Sequence, residues 1–216
     1  RRHQLHEVIR LSGMNLVIND IDMPLIVKVA SIQKERMQVY FIDNDEYFKL
    51  EESFDKDGEL YADNDERCIF FAKGIVETVK KLNWSPDLIH IQGWLGALLP
   101  LYLQTYCKEE PIFQHTKVIT CFLREPFTGS LDEGILEKIA FDEITPDQAP
   151  ELKEPNSMNL IKLASRYSDG ITTLRGTLPQ EAISYITSLG KPFLCEENIE
   201  TTCKSYPQFY KEVMGK

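Results

Sequence analysis

From Asp63 to the end of the chain, short apolar runs alternate with amphipathic stretches. Ile69, Phe70, Ala72, Ile75, Val76, Val79 and Leu82 recur at a helical period and fall mainly on one face. Asp63 stands three residues before Glu66, the spacing of a capping box, and the helix is expected to stop near Trp84-Ser85-Pro86. "DLIHI" then reads as a short buried strand. "GWLGALLPLYLQTY" is apolar nearly all round and predicts a buried helix that Pro100 is able to bend. "KVITCFL" (117–123) is a buried strand, and 141–156, with three prolines among acids, a loop or broken helix. "NLIKLASRYSDG" is a helix closed by Asp169-Gly170, "ITTL" a strand, "PQEAISYITSLG" a helix stopped at Gly190, and "KPFLC" a last strand, with a short helix over 205–214.

Ahead of this alternation lie "GMNLVIND" and "PLIVKVASI", two β-rich runs about a polar turn at Asp20-Ile21-Asp22 that suggest a hairpin, and a third strand, "MQVYFID" (37–43). The acidic stretch 44–66 reads as a solvated loop. Alternating strands and helices argue for a single α/β domain over 1–216, a doubly wound, mostly parallel sheet with helices on both faces. Ligands of such sheets bind beyond the carboxyl ends of the strands. Three ends are expected to converge: His90 to Trp94, Arg124 with Glu125, and Thr172 to Arg175.

Composition narrows the partners. A net charge of −10 without a basic cluster argues against nucleic acid or an anionic membrane. No run reaches the roughly 18 apolar residues of a membrane span, and the start lacks the apolar segment of a signal peptide. Five scattered cysteines without CxxC spacing read as reduced thiols, which suits a cytoplasmic location. His3, His6 and His115 have no ligand partners at useful spacing, so neither a metal nor a cofactor is expected. There is no phosphate-binding glycine loop and no GxSxG elbow. The chemistry rests on the strand ends. His90 either presents its imidazole to a substrate hydroxyl or is a core histidine bonded to backbone. Trp94 either stacks on a sugar face or belongs to the core.

Three stretches resemble one family. "VYFIDNDEYF" (39–48) is similar to the strand and Asp-Asn-x-x-Tyr-Phe turn of bacterial glycogen and starch synthases. "DNDERCIFFAKGIVETVKKLNWSPDLIHIQGWLGALLPLYL" (63–103) resembles their Glu-Arg-Phe-x-x-Phe helix and His-x-His-Asp-Trp segment. "NLIKLASRYSDGITTL" (159–174) resembles the Asn-Leu-x-Lys helix and the strand before the family's Val-Ser turn. The resemblance implies the amino-terminal, acceptor-side lobe of a two-lobed glycosyltransferase of the B type, which moves glucose from ADP-glucose onto an α-glucan or maltooligosaccharide. It implies catalytic roles for His90 and Gln92 and substrate contacts from Gly93 and Trp94; the strand-end reading adds substrate contacts from Arg124, Glu125 and Thr173. Gln92 and Gly93 stand where the family has His and Asp, and "CFLREPF" where it has a histidine-containing turn. The family's opening Lys-x-Gly-Gly-Leu strand and its nucleotide-binding lobe have no counterpart in these residues. The isolated chain is therefore expected to be weakly active or inactive, unless a second lobe or a homo-oligomer completes it. A non-catalytic glucan-binding or regulatory subunit is the alternative, and a scaffold with a relic cleft a third reading.

Overall fold

The computed structural model describes residues 6–8, 11–49, 59–124 and 126–216. Its first part is a four-stranded antiparallel sheet of β1 (His6–Glu7), β2 (Met14–Ile18), β3 (Ile21–Ile32) and β4 (Met37–Asp43), with β3 pairing all the others. The turn of the β2–β3 hairpin is Asn19-Asp20, one position earlier than the sequence suggests. Both residues have positive φ, 49° and 62°, the backbone that a two-residue turn between twisted strands requires.

The stretch after β4 is not simply a solvated loop. Asn44 is fully buried; its side chain donates to the Pro24 carbonyl (2.8 Å) and accepts from the amides of Glu46 and Tyr47. This Asx turn drives Tyr47 into the core. Residues 50–58 of the expected acidic loop lie outside the described residues.

Helix α1 (Asn64–Leu82) lies against this sheet, burying Ile69, Phe70, Ala72 and Val76, and ends at Asn83 in a left-handed conformation. The capping box suggested by Asp63 does not form. The Asp63 carboxylate pairs with Arg67 instead (3.0 Å), while Glu66 accepts from the Tyr47 hydroxyl and pairs with Lys138.

The second sheet is parallel, with β5 (Leu88–Gln92), β6 (Lys117–Phe122), β7 (Gly170–Leu174) and β8 (Phe193–Glu196) side by side in chain order. This is the expected α/β arrangement, and neighbouring residues of β6 show its two faces. Val118 packs into the main core with α1, α2 (Leu99–Gln104), α4 (Ser157–Tyr167) and α5 (Gln180–Ser188). Ile119 points the other way, to Phe209 and Val213 of α6 (Ile199–Met214). One further helix, α3 (Ile135–Ala140), has no counterpart in the sequence reading.

Three local expectations change. Pro100 does not bend a long helix: Trp94–Gly96 form a 3-10 turn, and Pro100 sits in the first turn of α2, where a missing N–H is harmless. Asp169-Gly170 do not close α4, which ends at Tyr167. Asp169 instead accepts from the Val118 amide and the Lys117 ammonium. Gly170 opens β7 and lets α6 approach, since a Cβ there would meet Val213 Cγ2 at 2.7 Å. Finally, α6 starts six residues before the expected 205, capped by Asn198 and Thr201, and carries Pro207 inside it.

A buried polar cluster ties the layers together. Lys73 of α1 donates to the Val17 carbonyl of β2 (2.7 Å) and pairs with Asp142, which also accepts from Tyr102 of α2 (2.7 Å). No described helix is long and apolar enough to cross a membrane.

Candidate functional site

Strand β5 ends at Gln92, and the chain turns sharply at Gly93, whose φ of 86° and ψ of 164° lie in a region essentially closed to other residues. The Gly93 amide donates to the Cys121 carbonyl of β6 (3.1 Å), which locks the turn to the neighbouring strand. Trp94 follows, half-buried, its indole edge-to-face with Phe127 at 5.1 Å between ring centres. Where β5 and β6 end together there is a cleft of about 540 Å³. Gln92, Gly93, Trp94 and Arg124 give it polar groups and an aromatic wall; Phe122, Leu123 and Pro126 complete the lining.

Four of the expected site residues therefore meet in one cleft. Arg124 is exposed and is the only charged residue among the described lining residues. Gln92 offers a donor and an acceptor to a hydroxyl without carrying charge. Glu125 lies outside the described residues. Thr173 is fully buried and donates its hydroxyl to the Phe122 carbonyl (2.6 Å), so it braces β7 against β6 beneath the cleft rather than lining it.

His90 is not in the cleft either. Side chains alternate along a strand, and His90 points to the face that α6 covers, with Leu88. Its Nδ1 lies 2.7 Å from the Tyr210 hydroxyl, and its ring meets Tyr206 and Tyr210 edge-on at 4.9 and 5.8 Å. Those two phenol rings are stacked one helical turn apart. Nε2 is buried without a hydrogen-bond partner. Burial disfavours the imidazolium and lowers the His90 pKa. In the structure the His90 side chain therefore docks α6 and does not line the strand-end cleft. The signal for it was the Tyr206/Tyr210 spacing, an aromatic pair on one helix face.

The comparisons with known proteins agree with this architecture. The model of the starch synthase catalytic domain matches residues 1–190, leaving β8 and α6 beyond the matched range. The chain is 30% identical over 178 residues to a glycogen synthase of Chlorobium limicola (strain DSM 245 / NBRC 103803 / 6330), covering 80% of this chain and 35% of that protein. It is 37% identical over 150 residues to a glycogen synthase of Chlorobium chlorochromatii (strain CaD3), covering 67% and 30%. The chain thus spans about a third of the length of the curated relatives it matches. Among solved structures, the catalytic domain of Starch Synthase IV from Arabidopsis thaliana, bound to ADP and acarbose, has the same fold, with a TM-score of 0.68 at 16% identity. The match covers 91% of this chain and 41% of that one. The sheet, the strand-end cleft and the family match lead to one assignment: this chain belongs to the starch synthase catalytic domain family.

Proposed function

We propose that this chain is the acceptor-side lobe for α-1,4-glucosyl transfer from ADP-glucose, and that the cleft beyond β5 and β6 holds the non-reducing end of an α-glucan. The observation that carries this is the position of Gln92, Gly93 and Trp94: the segment most like the family's motif lines the cleft. Trp94 offers an aromatic surface to a pyranose ring, and Gln92 hydrogen-bonds its hydroxyls. In the transfer, the glucan 4-hydroxyl oxygen forms a bond to glucose C1 while the bond from C1 to the ADP phosphate breaks. The hydroxyl proton passes to the departing phosphate, so a histidine at Gln92 is not required.

The departing ADP needs fixed positive charge. Among the described lining residues the cleft supplies Arg124 alone. Transfer by these residues alone is therefore slow, and efficient transfer draws its remaining cations from a second glycosyltransferase lobe, wherever that lobe lies. Family membership supports this reading over a non-catalytic glucan-binding or regulatory subunit. We place the protein in the cytoplasm, with its bacterial glycogen-synthase relatives and in keeping with five unpaired thiols.

Calorimetric titration with maltoheptaose tests the acceptor assignment, and glucose incorporation from ADP-[14C]glucose tests the transfer. Binding near 1 mM, about 4 kcal/mol, is expected, together with incorporation that falls at least tenfold in Arg124→Ala. Absence of heat at saturating sugar and of incorporation above background would remove the proposal.

A further inference from the structure

We propose that Lys138 is a positioning residue for the strand-end cleft. It ties the loop that carries the Pro126–Phe127 wall to the first turn of α1, and so sets how Trp94 meets an acceptor sugar. The role toward sugar rests on the function proposed above; the tie itself does not.

The wall of the cleft is irregular chain. Between Phe122, which ends β6, and Ile135, which starts α3, the described residues form no helix and no strand, only a single bridge from Ser130 to Asn156. Pro126 of this loop lines the cleft, and Phe127, buried, holds the Trp94 indole edge-to-face. Trp94 itself opens the 3-10 turn that rests on α1, where a Cβ on Gly96 would come within 3.8 Å of Phe71 Cε1. The ring pair therefore joins two bodies. One is the loop that runs into α3, and the other is the turn that sits on α1. Its geometry depends on what holds α3 against α1.

Lys138 of α3 makes that connection. Its ammonium lies 2.6 Å from Asp65 and 3.0 Å from Glu66, both in the first turn of α1. It also lies 3.6 Å from Asp132, at the end of the loop. Asp132 in turn accepts from the Gly134 amide (2.9 Å), at the entry to α3. An exposed ion pair would add little. Here the Lys138 and Asp65 side chains are 13% and 0% exposed, so losing the cation leaves a buried carboxylate without compensation. Burial raises the Asp65 pKa, and Lys138 opposes that rise, so the lysine is what keeps Asp65 charged.

The response to losing Lys138 is directional. Three carboxylates would then face one another. Asp65 and Glu66 are fixed in a helix whose apolar face is core. Asp132, half exposed and on the loop, is the one able to move away. Leu131 is buried and donates its amide to the Pro155 carbonyl (3.0 Å), so the loop stays seated at that point. The loop shifts rather than unfolds, and Phe127 moves relative to Trp94.

Trp84→Phe leaves Trp94 as the one tryptophan in the sequence. In that parent, acrylamide quenching of Trp94 fluorescence and calorimetric titration with maltoheptaose are compared for Lys138→Met, Lys138→Arg and Tyr210→Phe. The last is a control that loosens the fold on the far face of the sheet. Stronger quenching and about fivefold weaker binding, the scale of a disturbed aromatic contact, are expected in Lys138→Met. Lys138→Arg, which keeps the charge and the reach, restores both, and Tyr210→Phe changes neither. Unaltered quenching in Lys138→Met, or an equal change in Tyr210→Phe, overturns the proposal. Stronger quenching with unaltered affinity overturns the positioning role. If the parent itself takes up no sugar, the acceptor reading falls, and Trp94 quenching alone decides for or against the tie. Should Lys138→Met fail to fold, Lys138→Met with Asp65→Asn removes the buried charge together with the tie, and the same outcomes apply.

Discussion

The His90 imidazole Nδ1 lies 2.7 Å from the Tyr210 hydroxyl, a contact between residues 120 positions apart that docks α6 onto the parallel sheet. Phe209 and Val213 add an apolar contact on the same face, and Gly170 lets the helix come close. This docking covers the histidine of the motif segment, which does not line the cleft.

Tyr210→Phe removes the hydroxyl and leaves both ring nitrogens of His90 without a partner in a half-buried site. A stability loss of about 1–3 kcal/mol is expected. Urea unfolding followed by circular dichroism measures it. An unchanged midpoint would show that the contact adds nothing to the docking of α6.

The same histidine sets an acid limit. Burial lowers its folded-state pKa below the unfolded value of 6.5, so the unfolded chain binds more protons in the window between the two. Stability therefore rises with pH across that window. It is fully present above pH 6.5 and is lost progressively as pH falls below it. Thermal unfolding from pH 5 to 8 should show this slope for the wild type and a shallower one for His90→Gln. Equal slopes would mean that His90 does not titrate differently on folding.

Asp142 joins Lys73 and Tyr102 where α1, α2 and β2 meet, and all three side chains are buried. Asp142→Ala leaves the Lys73 ammonium without its counter-charge, which costs about 3–5 kcal/mol. Lys73→Met with Asp142→Leu removes both charges and should recover most of that loss. A single Asp142→Ala variant as stable as wild type would contradict this role.

Gly93→Ala tests the turn. A Cβ there meets nothing within 4 Å, so the whole effect is backbone strain at φ 86°, about 1–3 kcal/mol. Because the turn carries Trp94, maltoheptaose binding should weaken with the melting temperature. Loss of stability with unchanged binding would separate Trp94 from the acceptor site.

Much of the fold is legible in the sequence because its signals are local. The buried β5, β6 and β7 runs and the amphipathic faces of α1, α4 and α5 follow from hydrophobic period alone. The start of α6 was hidden by Thr201, Thr202 and Pro207, which disfavour helix, while its Asn198–Thr201 capping box was the readable cue. Asp63 shows the reverse: the spacing of a cap was present, but Arg67 and Lys138 took the two carboxylates it needed. Of the candidate site, the meeting of Gln92, Gly93, Trp94 and Arg124 in one cleft was legible because the carboxyl end of a parallel strand has a fixed place in such sheets. The roles of His90 and Thr173 were not. They depend on which face of the strand α6 covers and on a bond to the neighbouring strand, and no local pattern encodes either.

The most direct test of the central claim is an amide-resolved NMR titration of the 15N-labelled chain with maltoheptaose. Saturable shifts are expected at Gln92, Gly93 and Arg124, with the His90 amide and the α6 amides little changed. At saturating sugar, unmoved amides at Gln92, Gly93 and Arg124 would contradict it.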